Sequence, residues 1–214
     1  QAGQIRNSNE ALLISLVTAS GGKAIPLGIG RDNELELFDK IQQGLQSDVL
    51  LLSGGVSMGE KDLVPALLQQ AHVTEVFHKV QLKPGKPLWF GQAENTQQPT
   101  LVFGLPGNPV SSLVCYMLLV APMIRAYQQG TGEVDIHGDS LAELTAPYTL
   151  RGDRPTYHPG RLDWISGKWS VTPLPWSGSA DQQALAQANC LVFFQPPQRE
   201  YDVGEQISVL PFPW

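Results

Sequence analysis

The sequence predicts an α/β chain: an open, mostly parallel sheet flanked by helices, followed by a small all-β, barrel-like domain. Three observations carry this. Helix and strand signals alternate up to Gly130, the pattern of an open α/β sheet. Beyond Gly130 helical periodicity nearly vanishes, and prolines punctuate short apolar runs, as in small barrels. The chain of 214 residues is 42% hydrophobic, with 21 Gly and 17 Pro, so it has enough apolar side chains for a sizeable core despite its many turn residues. We divide it into 1–135 and 136–214, with the boundary between Thr131 and Ser140.

The elements follow in order. Asn7 and Glu10 have capping spacing, and Leu12, Leu13, Leu16 and Val17 then recur at helical period until Gly21-Gly22 stops the helix. Lys23 to Ile29 is a short strand candidate. Asn33 and Glu36 cap a second helix whose face is Leu35, Phe38, Ile41 and Leu45. Asp48 to Leu52 carries a continuous apolar run, Val49 to Leu52, the pattern of a strand covered on both faces. A helix over Leu63 to Ala71 follows. Val73 to Leu82, Pro87 to Gly91 and Thr100 to Leu105 read as strands, and a long helix runs from Pro109 to Gln128. In the second part Trp164-Ile165, Trp169 to Val171, Leu191 to Phe194 and Gln206 to Leu210 read as strands, with one short helix over Asp181 to Ala188.

Composition narrows the function. A net charge of −6 argues against binding a nucleic acid backbone, which needs basic surface. The most apolar run, Leu113 to Ile124, is interrupted by Tyr116 and Pro122 and is too short to span a bilayer, so no membrane role is expected. Cys115 and Cys190 make no disulfide framework and suit a reducing, cytoplasmic setting. His72, His78, His137 and His158 lack paired metal-ligand spacing, which argues against zinc. There is no Gly-x-Ser-x-Gly elbow and no Walker A sequence. The chain opens at Gln1 without Met, and its first residues read as the middle of a longer sequence, so a fragment or processed chain is expected.

Ligands of open α/β sheets sit beyond the carboxyl ends of the strands, and three loops fall there. Ser53-Gly54-Gly55-Val56-Ser57-Met58-Gly59-Glu60-Lys61-Asp62 joins a buried strand to a helix. Its glycines allow close backbone approach and an anion-binding nest. The alternatives are a plain tight crossover and, for Asp62, a helix cap. Leu105-Pro106-Gly107-Asn108-Pro109-Val110-Ser111-Ser112 leads into a helix N-terminus, which favours an oxyanion. Asn108 as a cap and Pro109 at the first helical position are the bland account. Gly28-Ile29-Gly30-Arg31-Asp32-Asn33 has too few glycines for a dinucleotide fingerprint. It leaves Asp32 without a structural duty other than solvation. Lys83-Pro84-Gly85-Lys86-Pro87 fits a type II turn that draws two ammonium groups together, either around an anion or splayed into water. Arg161 can pair with Asp163 or bind an anion, and Ser177-Gly178-Ser179 is an anion site or an ordinary cap.

Taken together, these pieces resemble the molybdopterin molybdenumtransferase family, of the MoeA or gephyrin E-domain type. The matching segments are Asn7-Ser8-Asn9, Gly28 to Asn33, Ser53 to Asp62, Lys83 to Pro87 and Gly104 to Ser111, then Gly160 to Asp163, Ser179 with Ala188-Asn189, and Val203 to Glu205. They occur in family order along nearly the whole chain.

The resemblance implies a molybdopterin-binding α/β domain. It also implies insertion of molybdate-derived molybdenum into adenylylated molybdopterin, with release of AMP and the assistance of Mg²⁺. Asp32 and Asp62 would hold the Mg²⁺ and act catalytically with Lys83 and Lys86. Ser53, Gly54, Gly55, Ser57, Gly59, Pro106, Gly107, Asn108, Pro109, Ser111, Arg161 and Ser179 would contact the ligand. A homodimer is implied, with a site built from the α/β domain of one subunit and the β domain of the other, and contacts to other molybdenum-cofactor biosynthesis proteins are compatible with it.

Two departures stand out. The family's N-terminal domains, with an acidic catalytic segment, are not in this sequence, and Ser177-Gly178 replaces the more usual Gln-Gly. Two other readings stay open: a molybdopterin adenylyltransferase related through the α/β domain alone, and a non-catalytic dimerising ligand-binding or scaffold module.

Overall fold

The structure, a computed structural model, describes residues 7–31, 33–55, 63–94, 99–130, 140–197 and 199–213. Asn7 and Asn33 start the first two helices, α1 (Ser8–Ala19) and α2 (Glu34–Gly44), and each side chain accepts the backbone N–H three residues on, Glu10 and Glu36. Strand β1 (Val49–Ser53) is followed by α3 (Val64–Gln70), β2 (Val73–His78), β3 (Trp89–Ala93) and β4 (Thr100–Leu105). The four strands form one sheet in the order β1-β4-β3-β2.

This sheet is mixed, which corrects the expectation of a mostly parallel one. Only β1 and β4 run parallel; β4–β3 and β3–β2 are antiparallel. The reason is chain length. Residues 79–88 and 94–99 connect these strands and are too short for the helical crossover that a parallel pair needs. The strand expected over Lys23 to Ile29 does not form either. Pro26 lacks an N–H, and Gly28 has φ +73, so the segment cannot keep an extended ladder.

Successive strand residues face opposite ways and build two cores. Val49, Leu51, Leu101, Phe103 and Leu105 pack with Leu13 and Leu16 of α1 and with the long C-terminal helix. Leu50, Leu52 and Val102 pack with α2 and α3 through Ile41, Leu67 and Leu68. The long helix comprises α4 (Pro109–Cys115), a π-helical turn (Tyr116–Val120) and α5 (Ala121–Gln129). The wider turn precedes Pro122, which cannot donate to an α-helical ladder. The helix runs well past the apolar stretch seen in the sequence. By length and composition it is long enough to cross a membrane, but 72% of its most apolar window is buried within this molecule, so it serves as a core helix here.

Strands β5 (Ser140–Leu144), β7 (Thr156–Ile165), β8 (Lys168–Pro173), β9 (Cys190–Phe194) and β11 (Gln206–Pro211) close a barrel in the order β11-β5-β8-β7-β9. A two-stranded ladder pairs β6 (Tyr148–Thr149) with β10 (Glu200–Tyr201), and α6 (Gln182–Gln187) interrupts the strands. The barrel interior is filled by Leu144, Leu162, Val171, Val192, Phe194 and Val209. Its end is not separate: Ala188, Leu191 and Phe212 join the core around α1 and α4. The boundary segment 131–139 lies outside the described residues.

Candidate functional site

Parallel pairing of β1 and β4 places Ser53 opposite Leu105, so the loops leaving both strands start side by side. Gly54 N–H donates to the Leu105 carbonyl at 3.0 Å. Gly54 and Gly55 take φ +82 and +69, which glycine adopts at little cost. A Cβ on Gly107 would stand 3.6 Å from the Gly54 Cα, so the two loops touch backbone to backbone. Asn9 of α1 links them: its Nδ2 donates to Ser53 Oγ at 2.7 Å and to the Gly107 carbonyl at 2.8 Å.

Asn108 occupies the cap position of α4, but it does not cap. Its side chain makes no hydrogen bond to the helix. Instead Nδ2 donates to Ser179 Oγ at 2.8 Å, and Val110 N–H donates to the Ser179 carbonyl at 3.1 Å. Pro109 opens the helix as expected, Ser111 is buried in its first turn, and Ser112 Oγ donates to the Pro106 carbonyl. Ser179 is not a cap either. Asp181 caps α6, accepting from Ala184 N–H, and its second oxygen accepts from Ser177 N–H and Oγ. Those bonds, the one from Ala184 first, hold the Asp181 carboxyl down at about 2. The carboxylate therefore stays charged below the usual carboxylate range; its contribution to stability is full above the ordinary value of 3.8 and is lost as pH falls from there through about 2. The barrel and the α/β part thus meet at the Asn108 loop. A second contact, Gln182 Nε2 to Ser8 Oγ at 3.0 Å, lies beside it.

The lysine turn differs from the type II turn expected. The Lys83–Pro84 bond is cis and Gly85 has φ +126. The Lys83 carbonyl accepts from Tyr157 N–H, while Lys83 N–H donates to the Pro155 carbonyl, so the turn is sewn to the barrel. Lys83 is half-buried and Lys86 exposed. Gly85 rests on Cys115, whose Sγ lies 3.6 Å from the Gly85 carbonyl. Cys115 stands one helical turn beyond Ser111 on α4, so the lysine turn and the Asn108 loop share one helix. Burial pushes the Cys115 thiol up to about 12, which keeps it protonated and unreactive.

His158 closes the circuit. It is buried, and its Nε2 lies 2.8 Å from the Leu174 carbonyl. Its ring meets Trp176 and Tyr148 edge-on. Burial lowers its pKa, the bond to Leu174 opposes this, and the nearby Lys83 charge lowers it further. Trp176 Nε1 in turn donates to the Gly178 carbonyl beside Ser179.

Some predicted residues are not brought to this cluster. Arg161 lies exposed on the barrel wall, 3.5 Å from Asp163. Its strand is pinned by Asn189, which exchanges hydrogen bonds with the Leu162 backbone at 2.7 and 2.8 Å. Asp32, Ser57, Gly59 and Asp62 lie outside the described residues. Leu63, not Asp62, holds the cap position of α3. Among the described residues no group of three His, Cys, Asp or Glu side chains could hold a metal. Two residues were not singled out as site candidates from sequence, Asn9 and His158. Asn9 did carry a signal: it stands four and seven residues before Leu13 and Leu16, a polar side chain on the apolar face of its helix.

Residues 1–126 match the family described as "Probable molybdopterin binding domain", and residues 142–212 match "MoeA C-terminal region (domain IV)". The molybdopterin molybdenumtransferase of Haemophilus influenzae is 32% identical over 99% of this chain and 52% of its own length. The gephyrin of Dictyostelium discoideum is 31% identical over 98% of this chain and 33% of its own. The molybdopterin biosynthesis MoeA protein of Pyrococcus horikosii superposes with a TM-score of 0.76 at 26% identity, over 99% of this chain and 49% of that one. The chain thus spans about half the length, or less, of the relatives it matches.

Proposed function

Because the chain belongs to the family of probable molybdopterin binding domains and continues into a MoeA C-terminal region, we propose that it works in molybdenum cofactor biosynthesis as the ligand-holding half of a molybdopterin molybdenumtransferase. The reaction is insertion of molybdate-derived molybdenum into adenylylated molybdopterin, with release of AMP. The observation that carries this reading is the joining of Ser53, Gly107, Asn108 and Ser179 by Asn9 and by the Asn108–Ser179 bond. It makes a barrel residue part of the loop cluster, and an adenylyltransferase built on the α/β domain alone would not use that residue.

In this reading the Gly54-Gly55 and Pro106 to Asn108 backbones cradle the pterin and its phosphates. Lys83, Lys86, Ser111, Ser179 and Arg161 receive the oxyanions, since cationic and hydroxyl donors suit a tetrahedral dianion. Arg161, exposed on the outer barrel wall, serves the site of a second copy, which makes the protein a homodimer. Asp32 and Asp62 supply the hard carboxylate oxygens that fit Mg²⁺. Bound there, the ion would neutralise pyrophosphate charge. The functional division follows 1–135 and 136–214, and the setting is cytoplasmic.

The test is to incubate the protein with adenylylated molybdopterin, molybdate and Mg²⁺ and to follow AMP. Molybdate-dependent AMP release is the expected result. Formation of adenylylated molybdopterin from ATP would replace this reading with an adenylyltransferase. Tight binding without turnover would replace it with a ligand-binding module.

A further inference from the structure

We infer that Asn9 is a positioning residue that clips the two ligand loops together, fixing the spacing at which they meet the pterin ligand. The inference rests on the function proposed above for the occupant of the loops, but the clip itself stands on geometry.

Asn9 is 8% exposed. Both hydrogens of its Nδ2 are used, one on Ser53 Oγ and one on the Gly107 carbonyl. The orientation of the amide is not free: a backbone carbonyl only accepts, so the nitrogen must face Gly107. The bond crosses beside the Gly54–Gly107 backbone contact. No other small side chain does this. Aspartate has the shape but no N–H, and it would set a carboxylate against the Gly107 carbonyl. Serine has one hydrogen, and glutamine is a methylene too long.

The remaining atom says why the residue is there. Asn9 Oδ1 is buried without a hydrogen-bond partner among the described residues. A desolvated, unpaired amide oxygen costs stability, and an apolar side chain of similar size would avoid that cost. Ser53 and Gly107 are both exposed, so water can replace Asn9 as their partner. Folding therefore gains little from the asparagine. What it supplies is the distance between the two loops.

The experiment compares wild type with Asn9→Leu, Asn9→Asp and Asn9→Ser. Three quantities are read: melting temperature, affinity for molybdopterin, and hydrogen exchange of the Gly54 amide, which bonds across the loops to Leu105. Asn9→Leu is expected to melt within a few degrees of wild type, yet to bind molybdopterin about tenfold or more weakly, with faster Gly54 exchange. Asn9→Asp should bind more weakly still, and Asn9→Ser should fall between wild type and Asn9→Leu. Unchanged affinity and exchange in Asn9→Leu overturn the inference. So does a large fall in its melting temperature, which would make the residue merely structural; if Asn9→Leu does not fold, Asn9→Ser decides by the same readings. If wild-type protein does not bind molybdopterin, the proposed function fails, and the Gly54 exchange rates alone decide whether the clip exists.

Discussion

His158 is where the barrel, the lysine turn and the Trp176 segment meet. Burial holds its folded-state pKa below the ordinary 6.5, while the unfolded chain takes up a proton near that value. The group therefore costs nothing above about pH 6.5, and stability is lost as pH falls from there towards the folded-state pKa. The charged and titratable groups beside it are Lys83 and Tyr148, and burial raises the Tyr148 hydroxyl above its ordinary pKa. Thermal melts between pH 7.5 and 5.5 should show the loss in wild type, and His158→Phe should give a lower but flatter profile. Arg161 is the opposite kind of residue. Its ion pair with Asp163 is about half exposed, and such pairs contribute about 0–1 kcal/mol. Arg161→Ala should leave the melting temperature nearly unchanged while lowering the molybdate-dependent AMP release proposed for the protein; an unchanged rate would remove Arg161 from the proposed site.

At the scale of elements, the lysine turn depends on one glycine. A Cβ on Gly85 would lie 2.7 Å from Cys115 Sγ, and its φ of +126 is closed to other residues at low cost. Cys115 is fully buried in α4 and cannot move aside. Gly85→Ala should therefore cost about 1–3 kcal/mol in urea unfolding, and by displacing Lys83 and Lys86 it should weaken the oxyanion binding proposed for them. The same scale explains why the sheet is mixed. The segment 94–99 between β3 and β4 was countable in the sequence and too short for a crossover. Helix–strand alternation elsewhere in the chain outweighed that count.

At the scale of the molecule, the two parts share a core. Leu191 belongs to the barrel strand β9, yet it is fully buried in the cluster with Leu16, Leu113 and Val114. Calorimetry should therefore record one cooperative transition for both parts, and two separated transitions would contradict a common core. Leu191→Ala should lower that single transition and cost about 2–5 kcal/mol.

Local chemistry determined a good deal. The run 49–52 announced a strand, but β1 lies at the sheet edge and is only half-buried, not fully covered on both faces. Asn7 and Asn33 announced helix starts, the run 100–105 announced a buried strand, and Pro109 announced the start of α4, because caps, periodicity and proline act over a few residues. The glycine and lysine loops suggested an oxyanion ligand for the same reason, while the pterin was implied only by the resemblance of their order to the molybdopterin molybdenumtransferase family. Local chemistry could not say where side chains turn once distant segments arrive. Asn108 read as a cap and instead reaches Ser179, 71 positions away. Asn9 read as part of a helix start and instead spans two loops, one of them 98 positions distant. Those partners are chosen by sheet pairing and by the core that docks the barrel onto α4. They are long-range consequences of packing, and only the tertiary structure decided them.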